Sequence, residues 1–488
     1  MTDAALPLAS TRGRWNEDWI AFAVGVLVVA VALLGVTGPD LLGWAVTTSV
    51  WTDATQALAP VGKAYASLGG IGAVVATYVA LLVVLSIALS TLDIPIGRFA
   101  VRFTAVFWIA YASWVLGSYA HFAAVTPAEY QKYGITWSLR LTNEGGFIVA
   151  LIAGLIIANV FPRFANWLTD AVRPELYVKI AIVILGSFLA VTIAGRLSFA
   201  SSIVLRGVAA IVEAYLIYWA VVYYVSRRWF GFSREWAVPL ASGISICGVA
   251  AAIATGGAIR ARPAVPVLVS SLVVVFAVVE VLLLPLIAQT FLAHEPLVAA
   301  AWMGLAIKTD GAAVAGGGIT EALILAKNAA EGVRYQPGWL LGTTAAIKIF
   351  IDVFIGVWAF ILAYIWTNQI NVQPGDRAKP SEIWERFPKF IIGFVLTFGV
   401  GLALALTASP ATIAKLTPAI AEANTFRVIF FILTFFSIGV LSNFRRLWAE
   451  GIGKLAAVYV VSLFGFVIWV GLLISWLFFA GVKPPLAG

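Results

Sequence analysis

Apolar runs of about twenty residues alternate with short polar stretches from Ile20 almost to the C-terminus of this 488-residue chain. Each run is long enough to cross the ~30 Å hydrocarbon core of a bilayer as a helix. Three runs come first, at residues 20–36, 71–92 and 103–122. Ten follow, at 146–161, 179–194, 208–225, 238–259, 265–292, 297–325, 339–366, 390–406, 426–441 and 455–480. The pattern predicts an all-α polytopic membrane protein with about thirteen transmembrane helices.

The seventh run departs from a plain membrane helix. Residues 239–257 hold Ser242, Gly243, Ser245, Cys247, Gly248, Thr255, Gly256 and Gly257 between apolar flanks. A helix that comes apart inside lipid is tolerated only where it is buried in protein or lines a wet cavity. A Gly-interrupted apolar segment is also a sequence pointer to a transporter's binding site. Close helix packing through small residues accounts for the same composition. If the helix breaks, the freed amides at the start of the second half form an anion site, with Ser242, Ser245 and Thr255 completing it. A second Gly-rich interruption spans residues 304–318 and carries Lys308 and Asp310.

Charge placement orients the runs. With Arg12 and Arg14 in the cytoplasm, alternate loops carry Arg98 and Arg102; Arg163, Arg173 and Lys179; Arg227, Arg228 and Arg234; Arg377, Lys379, Arg386 and Lys389; then Arg445, Arg446 and Lys454. The opposite loops are poorer: Lys63, then Lys132 and Arg140, then Lys327 and Arg334, then Lys415. This predicts a cytoplasmic N-terminus and a periplasmic C-terminus. Arg260 and Arg262 violate the rule, as do Arg196 and Arg206, and the cytoplasmic loop at His294 and Glu295 lacks basic residues. The last ten runs divide into two sets of five, the arithmetic of an inverted repeat. Ser245-Ile246-Cys247-Gly248-Val249 in the fourth run of one set echoes Ser437-Ile438-Gly439-Val440 in the fourth of the other. The expected organisation is an N-terminal extension (1–145) with three helices, a first repeat (146–292), and a second (293–488) that includes a cytoplasmic linker at 367–389. The extension is expected to pack on the core or form an oligomer contact.

Composition narrows the function. The chain is 62% hydrophobic and 11% charged, against about 25% charged for soluble domains. Its net charge of +8 is accounted for by loop Lys and Arg, which argues against a nucleic-acid partner. A single cysteine, Cys247, excludes an intrachain disulfide and a cysteine metal cluster, and the two histidines, His121 and His294, lie far apart. No metal, no cofactor and no enzymatic nucleophile–base pair is expected. Ionisable residues deep in a span are functional candidates by default. Here these are Glu213, Glu280, Lys308, Asp310, Lys348 and Asp352. Lys179, Arg206 and Arg427 lie near run ends, where snorkelling explains them. Lys348 and Asp352, four apart, can pair on one helix face, whereas Lys308 and Asp310, two apart, pair only if the backbone is irregular. The functional reading gives Lys308 or Lys348 to an anion and a coupling proton or sodium ion to Asp310, Asp352 or Glu280. Self-neutralisation within the bundle is the alternative.

The order GISICGVAAAIAT, an apolar span, WMGLAIKTDGAAVAGGG and TTAAIKIFIDV, with VKIAIVILGSFL at residues 178–189, resembles the YeiH-type sulfate exporter family of bacterial inner-membrane proteins. The likeness runs from about Gly146 to the C-terminus, and SICG at residues 245–248 is its most specific part. It implies an inverted-repeat, antiporter-like or bile-acid-symporter-like fold and export of sulfate or a related small anion across the bacterial inner membrane. Two departures stand out. Lys308-Thr309-Asp310 replaces an expected His beside an acid or Thr, and Asp352 stands near where an Arg is expected after Lys348. The expected substrate shell is Ser242, Gly243, Ser245, Cys247, Gly248, Thr255, Lys308, Ser437 and Gly439; the coupling groups are Asp310, Lys348, Asp352 and Glu280. The alternatives are a cation/proton antiporter, an intramembrane enzyme and a non-transporting scaffold.

Overall fold

The computed structural model describes residues 16–92, 94–124, 127–139, 141, 145–262, 264–370, 384, 387–443 and 453–487. Arg12, Arg14, Arg140, Arg377, Lys379, Arg386, Arg445, Arg446 and most of the expected linker lie outside the described residues. Among these residues, ten helices are long and apolar enough to cross a membrane. They include α1 (Glu17–Thr37), α2 (Gly69–Ser90) and α3 (Ile96–Gly117). A β-hairpin between α1 and α2 pairs Val46–Thr48 with Leu58–Pro60. Helix α4 (Gly145–Val160) is followed, at a 117° bend, by the short helix Pro162–Leu168. Then come α5 (Pro174–Ile193) and α6 (Leu197–Trp229). The chain is thus an all-α polytopic membrane protein apart from that small hairpin.

Helix α5 is apolar on all sides and buried along nearly its whole length, as expected of a helix at the centre of a bundle. Pro174 at its first turn is a good start signal because the missing N–H is unneeded there. Close approach depends on small residues: a Cβ at Gly186 would sit 2.6 Å from the Phe394 carbonyl oxygen. The first helix of the N-terminal extension is not peripheral. Asp18 of α1 pairs with Lys179 of α5 at 2.9 Å, and Gly25 packs on Val183. Lys179 is therefore a buried, paired cation rather than a snorkelling one.

The middle of the chain departs most from the expected topology. Helices α7 (Arg234–Ser245) and α8 (Gly248–Ala258) do not form one crossing segment. Arg262, just beyond α8, donates its backbone N–H and its Nε–H to Glu235 Oε1 at 2.8 and 3.0 Å. Glu235 stands at the start of α7, so the two arms lie side by side as a re-entrant hairpin. Helix α9 (Ala264–Phe291) then leads to α10 (Pro296–Ala306) and α11 (Asp310–Ala330). These also fold back on each other: Asn328 Nδ2 donates to the Ala293 carbonyl at 2.8 Å, and Lys327 Nζ to that of Gln289 at 3.0 Å. The first hairpin has its base where α9 begins, the second where α9 ends. The two enter from opposite faces.

The remaining segments are α12 (Trp339–Ile370), α13 (Phe390–Thr407), α14 (Pro410–Leu441) and α15 (Gly453–Phe479). Helix α14 is continuous through Ser437 and Gly439. Gly439 instead lets α14 pack on Leu151 and Gly154 of α4, where a Cβ would meet backbone. The echo of the first tip at Ser437 marks no break; the second break lies at residues 307–309, within the Gly-rich interruption expected at 304–318. A hairpin followed by a helix occurs twice in opposite sense: α7–α8 with α9, then α10–α11 with α12. The hairpins also account for two of the three charge anomalies, all but Arg196 and Arg206. Arg260 and Arg262 share a face with Arg227, Arg228 and Arg234, because the hairpin returns to its own side. The loop at His294 and Glu295 lies on the other face, with Lys483 Nζ 2.9 Å from Glu295 Oε1.

Candidate functional site

The two hairpin tips meet inside the bundle. At the first, Ile246 and Cys247 leave helical geometry and Gly248 takes φ 27°. A Cβ on Gly248 would stand 2.6 Å from Val273 Cγ1 and 3.0 Å from Thr309 Cγ2, so this turn needs glycine both for backbone angle and for space. At the second tip, Ile307 is extended and Thr309 caps α11, its Oγ1 accepting from Ala312 N at 3.2 Å. That cap is a sequence-encoded helix start.

Lys348 of α12 joins the tips. Its Nζ donates to the carbonyls of Ile246 at 2.9 Å, Lys308 at 3.2 Å and Ile307 at 3.4 Å. Ile246 and Ile307 terminate the first arms of the two hairpins, so the ammonium sits at two negative helix ends. Asp310 Oδ1 lies 3.8 Å away. The expected i,i+4 partner, Asp352, instead faces Cys247 and Asp310: one ligand-type atom from each of the three lies within 4.8 Å of the others. All three side chains are buried, as is Lys348.

Lys308 points away from this cluster. Its Nζ donates to the Leu305 carbonyl and stands 4.6 Å from the Tyr218 ring centroid. Its backbone N–H donates to Glu280 Oε2 at 3.0 Å, and Tyr459 donates to Glu280 Oε1 at 3.3 Å. The Tyr218 hydroxyl donates to Glu213, and Glu213 opens a π-helical turn, Glu213–Tyr218, within α6. Such turns often mark functional positions in helices. Lys308 and Asp310 therefore serve two adjoining clusters, separated by the irregular backbone between them.

The other predicted positions divide sharply. Ser245 Oγ is buried with no hydrogen-bond partner among the described residues and lies at the first tip. Ser242 faces α6, where its Oγ accepts from Trp219 Nε1 at 3.0 Å. Gly243 packs on Val269. Thr255 donates to the Ala251 carbonyl of its own helix at 2.7 Å, two turns from the tip. Gly439 belongs to the α14 packing face, and Ser437 is buried on α14 with its Oγ, like that of Ser245, making no hydrogen bond among the described residues. Tyr218, Tyr459 and the three carbonyls around Lys348 are functional candidates that sequence reasoning missed; aromatic abundance hid the first two, and backbone atoms leave no residue-type signal. A cavity of ≈ 340 Å³ opens beside the long arm α11, lined by Glu321, Gly318, Tyr111, Thr48, Asn424 and Arg427 among others. It lies toward the face where the second hairpin has its base.

Residues 135–470 match the family model described as conserved hypothetical protein 698. A UPF0324 membrane protein of Nitrosomonas europaea is 37% identical over 96% of this chain and 97% of its own length. Another, of Rhodopirellula baltica, is 29% identical over 72% of this chain and 58% of its own length. An uncharacterized protein of Archaeoglobus fulgidus is 48% identical over 34% of this chain and 97% of its own length. No solved structure matches. These descriptions name a membrane protein and no transported solute.

Proposed function

The chain belongs to the conserved hypothetical protein 698 family of UPF0324 membrane proteins, and from that premise we propose that it is a secondary transporter of a small anion, working by alternating access, and not an enzyme. The observation that carries this reading is the pair of opposed hairpins meeting tip to tip within the bundle. Irregular backbone inside a membrane protein is tolerated where it lines a cavity, and discontinuous helices near the midplane are the usual makings of a transport site. The amides at the start of α8, beside Ser245, offer positive ends to an anion. Asp310 and Asp352 take up a coupling proton or sodium ion. Sulfate or a related oxyanion is the solute that the sequence resemblance favours. The positive-inside rule favours a cytoplasmic side for the face bearing Arg227, Arg228, Arg234, Arg260, Arg262, Lys389 and Lys454, hence a C-terminus outside, and the sequence resemblance favours the bacterial inner membrane.

The test is a panel of sulfate, sulfite, bicarbonate and small carboxylates. At a concentration 100 times Kd, a bound anion stabilises the folded protein by about 2.7 kcal/mol. One of them should raise the melting temperature and be carried into proteoliposomes; no effect from any rejects the reading. A second reading, cation/proton antiport, is favoured by the charge around the hairpin tips, where the buried Glu213, Glu280, Asp310 and Asp352 stand against Lys308 and Lys348. It predicts sodium-dependent stabilisation that is lost in Asp352→Asn.

A further inference from the structure

The geometry points to a buried site for one divalent transition-metal ion, held by Cys247 Sγ and one carboxylate oxygen each of Asp310 and Asp352. The three atoms lie within 4.8 Å of one another, on three different elements: the first hairpin tip, the second hairpin tip and α12. Tetrahedral zinc-type ligands stand roughly 3.5 Å apart at metal–ligand distances of about 2.0–2.3 Å, so the three need to draw in by about 1 Å. Two further observations point to a ligand. Asp352 Oδ1 is buried without a hydrogen-bond partner among the described residues, an expensive state for a carboxylate, and Asp310 Oδ1 accepts no hydrogen bond there either, standing 3.8 Å from the Lys348 ammonium. The carbonyls of Ile246, Ile307 and Lys308 already converge on a cation, the Lys348 ammonium, so the local field is built for positive charge.

Charge and softness choose the metal class. Two carboxylates and a thiolate against the Lys348 ammonium leave a formal charge of about −2, which a dication neutralises. A sulfur ligand disfavours calcium and magnesium, which take oxygen, and suits zinc or its softer analogue cadmium. On binding, the Cys247 S–H bond breaks, a metal–sulfur bond forms, and the proton leaves to solvent. Affinity therefore rises with pH. The proposal concerns the cation alone and stands whatever solute is carried.

The experiment adds Cd²⁺ to the purified chain and follows the ultraviolet thiolate-to-metal charge-transfer band. The chain has a single cysteine, so any such band reports Cys247. The expected result is one equivalent bound, with the band lost in Cys247→Ser and binding weakened at least tenfold in Asp352→Asn. The Lys348→Ala variant, which opens the carbonyl cage, runs in parallel so that slow access does not hide the site. Absence of the band from both the wild-type chain and Lys348→Ala overturns the proposal. So does a band whose affinity is unchanged by Asp352→Asn. Transport assays are not involved, so this outcome is separable from the fate of the anion reading.

Discussion

Lys348 is the residue whose removal should be felt most widely. Lys348→Met strips one hydrogen-bond donor from three carbonyls and the nearby ammonium from Asp310. Breaking one side of a buried charge pair costs about 3–5 kcal/mol, so the variant should melt markedly lower and carry no solute. An unchanged melting curve would remove the ammonium from its structural place. Gly248→Ala tests the first tip differently. At φ 27°, with Val273 2.6 Å from the new carbon, it should cost on the order of 1–3 kcal/mol and abolish flux. Lys308→Gln separates the two clusters. If Lys308 balances Glu280 and Glu213 rather than touching solute, flux should fall through altered coupling to protons while solute affinity stays the same; a selective loss of solute affinity would place Lys308 at the solute instead.

At the scale of elements, the hairpins make a sharp prediction. In a Cys247→Ser background, Glu235→Cys and Arg262→Cys should be joined by a bifunctional thiol reagent about 10 Å long, because the native side chains are in hydrogen-bond contact. Were residues 235–262 a straight helix, those positions would be about 40 Å apart at 1.5 Å per residue, and no crosslink would form. The sequence revealed the interruption but not its direction. Ser245, Cys247 and Gly248 announce that the helix loosens, and the Lys308–Asp310 spacing announces irregular backbone. Whether a loosened helix continues or turns back is decided by a contact 27 residues away, between Glu235 and Arg262, which local pattern does not carry. The misplaced arginines, Arg260 and Arg262, were the legible trace of it, since a crossing helix would put them on the poorer side. The Ser437 echo misled because Ser and Gly in an apolar helix serve close packing as readily as a break. The ion pair of Lys348 with Asp310 was hidden for the same reason: a partner on another element outranks the neighbour four residues on.

For the whole molecule, the faces can be tested directly. Single cysteines at positions 260 and 294 should react with membrane-impermeant thiol reagents from opposite sides of sealed cells. Labelling from the same side would contradict the opposed hairpins. The N-terminal extension is also tied into the core: α1 pairs through Asp18 with Lys179 and accepts from the Lys389 amide at 3.1 Å. Deleting residues 1–68 should therefore abolish folding rather than merely shorten the protein, as read by recovery of monodisperse protein after extraction.

The cavity alongside α11 runs inward along that arm as far as Ala315. Water in that cavity shortens the stretch of protein across which the transmembrane voltage falls. An elementary charge carried across that stretch exchanges about 2.3 kcal/mol with each 100 mV, so a cycle that moves net charge would run at a rate the cell sets by its own polarisation.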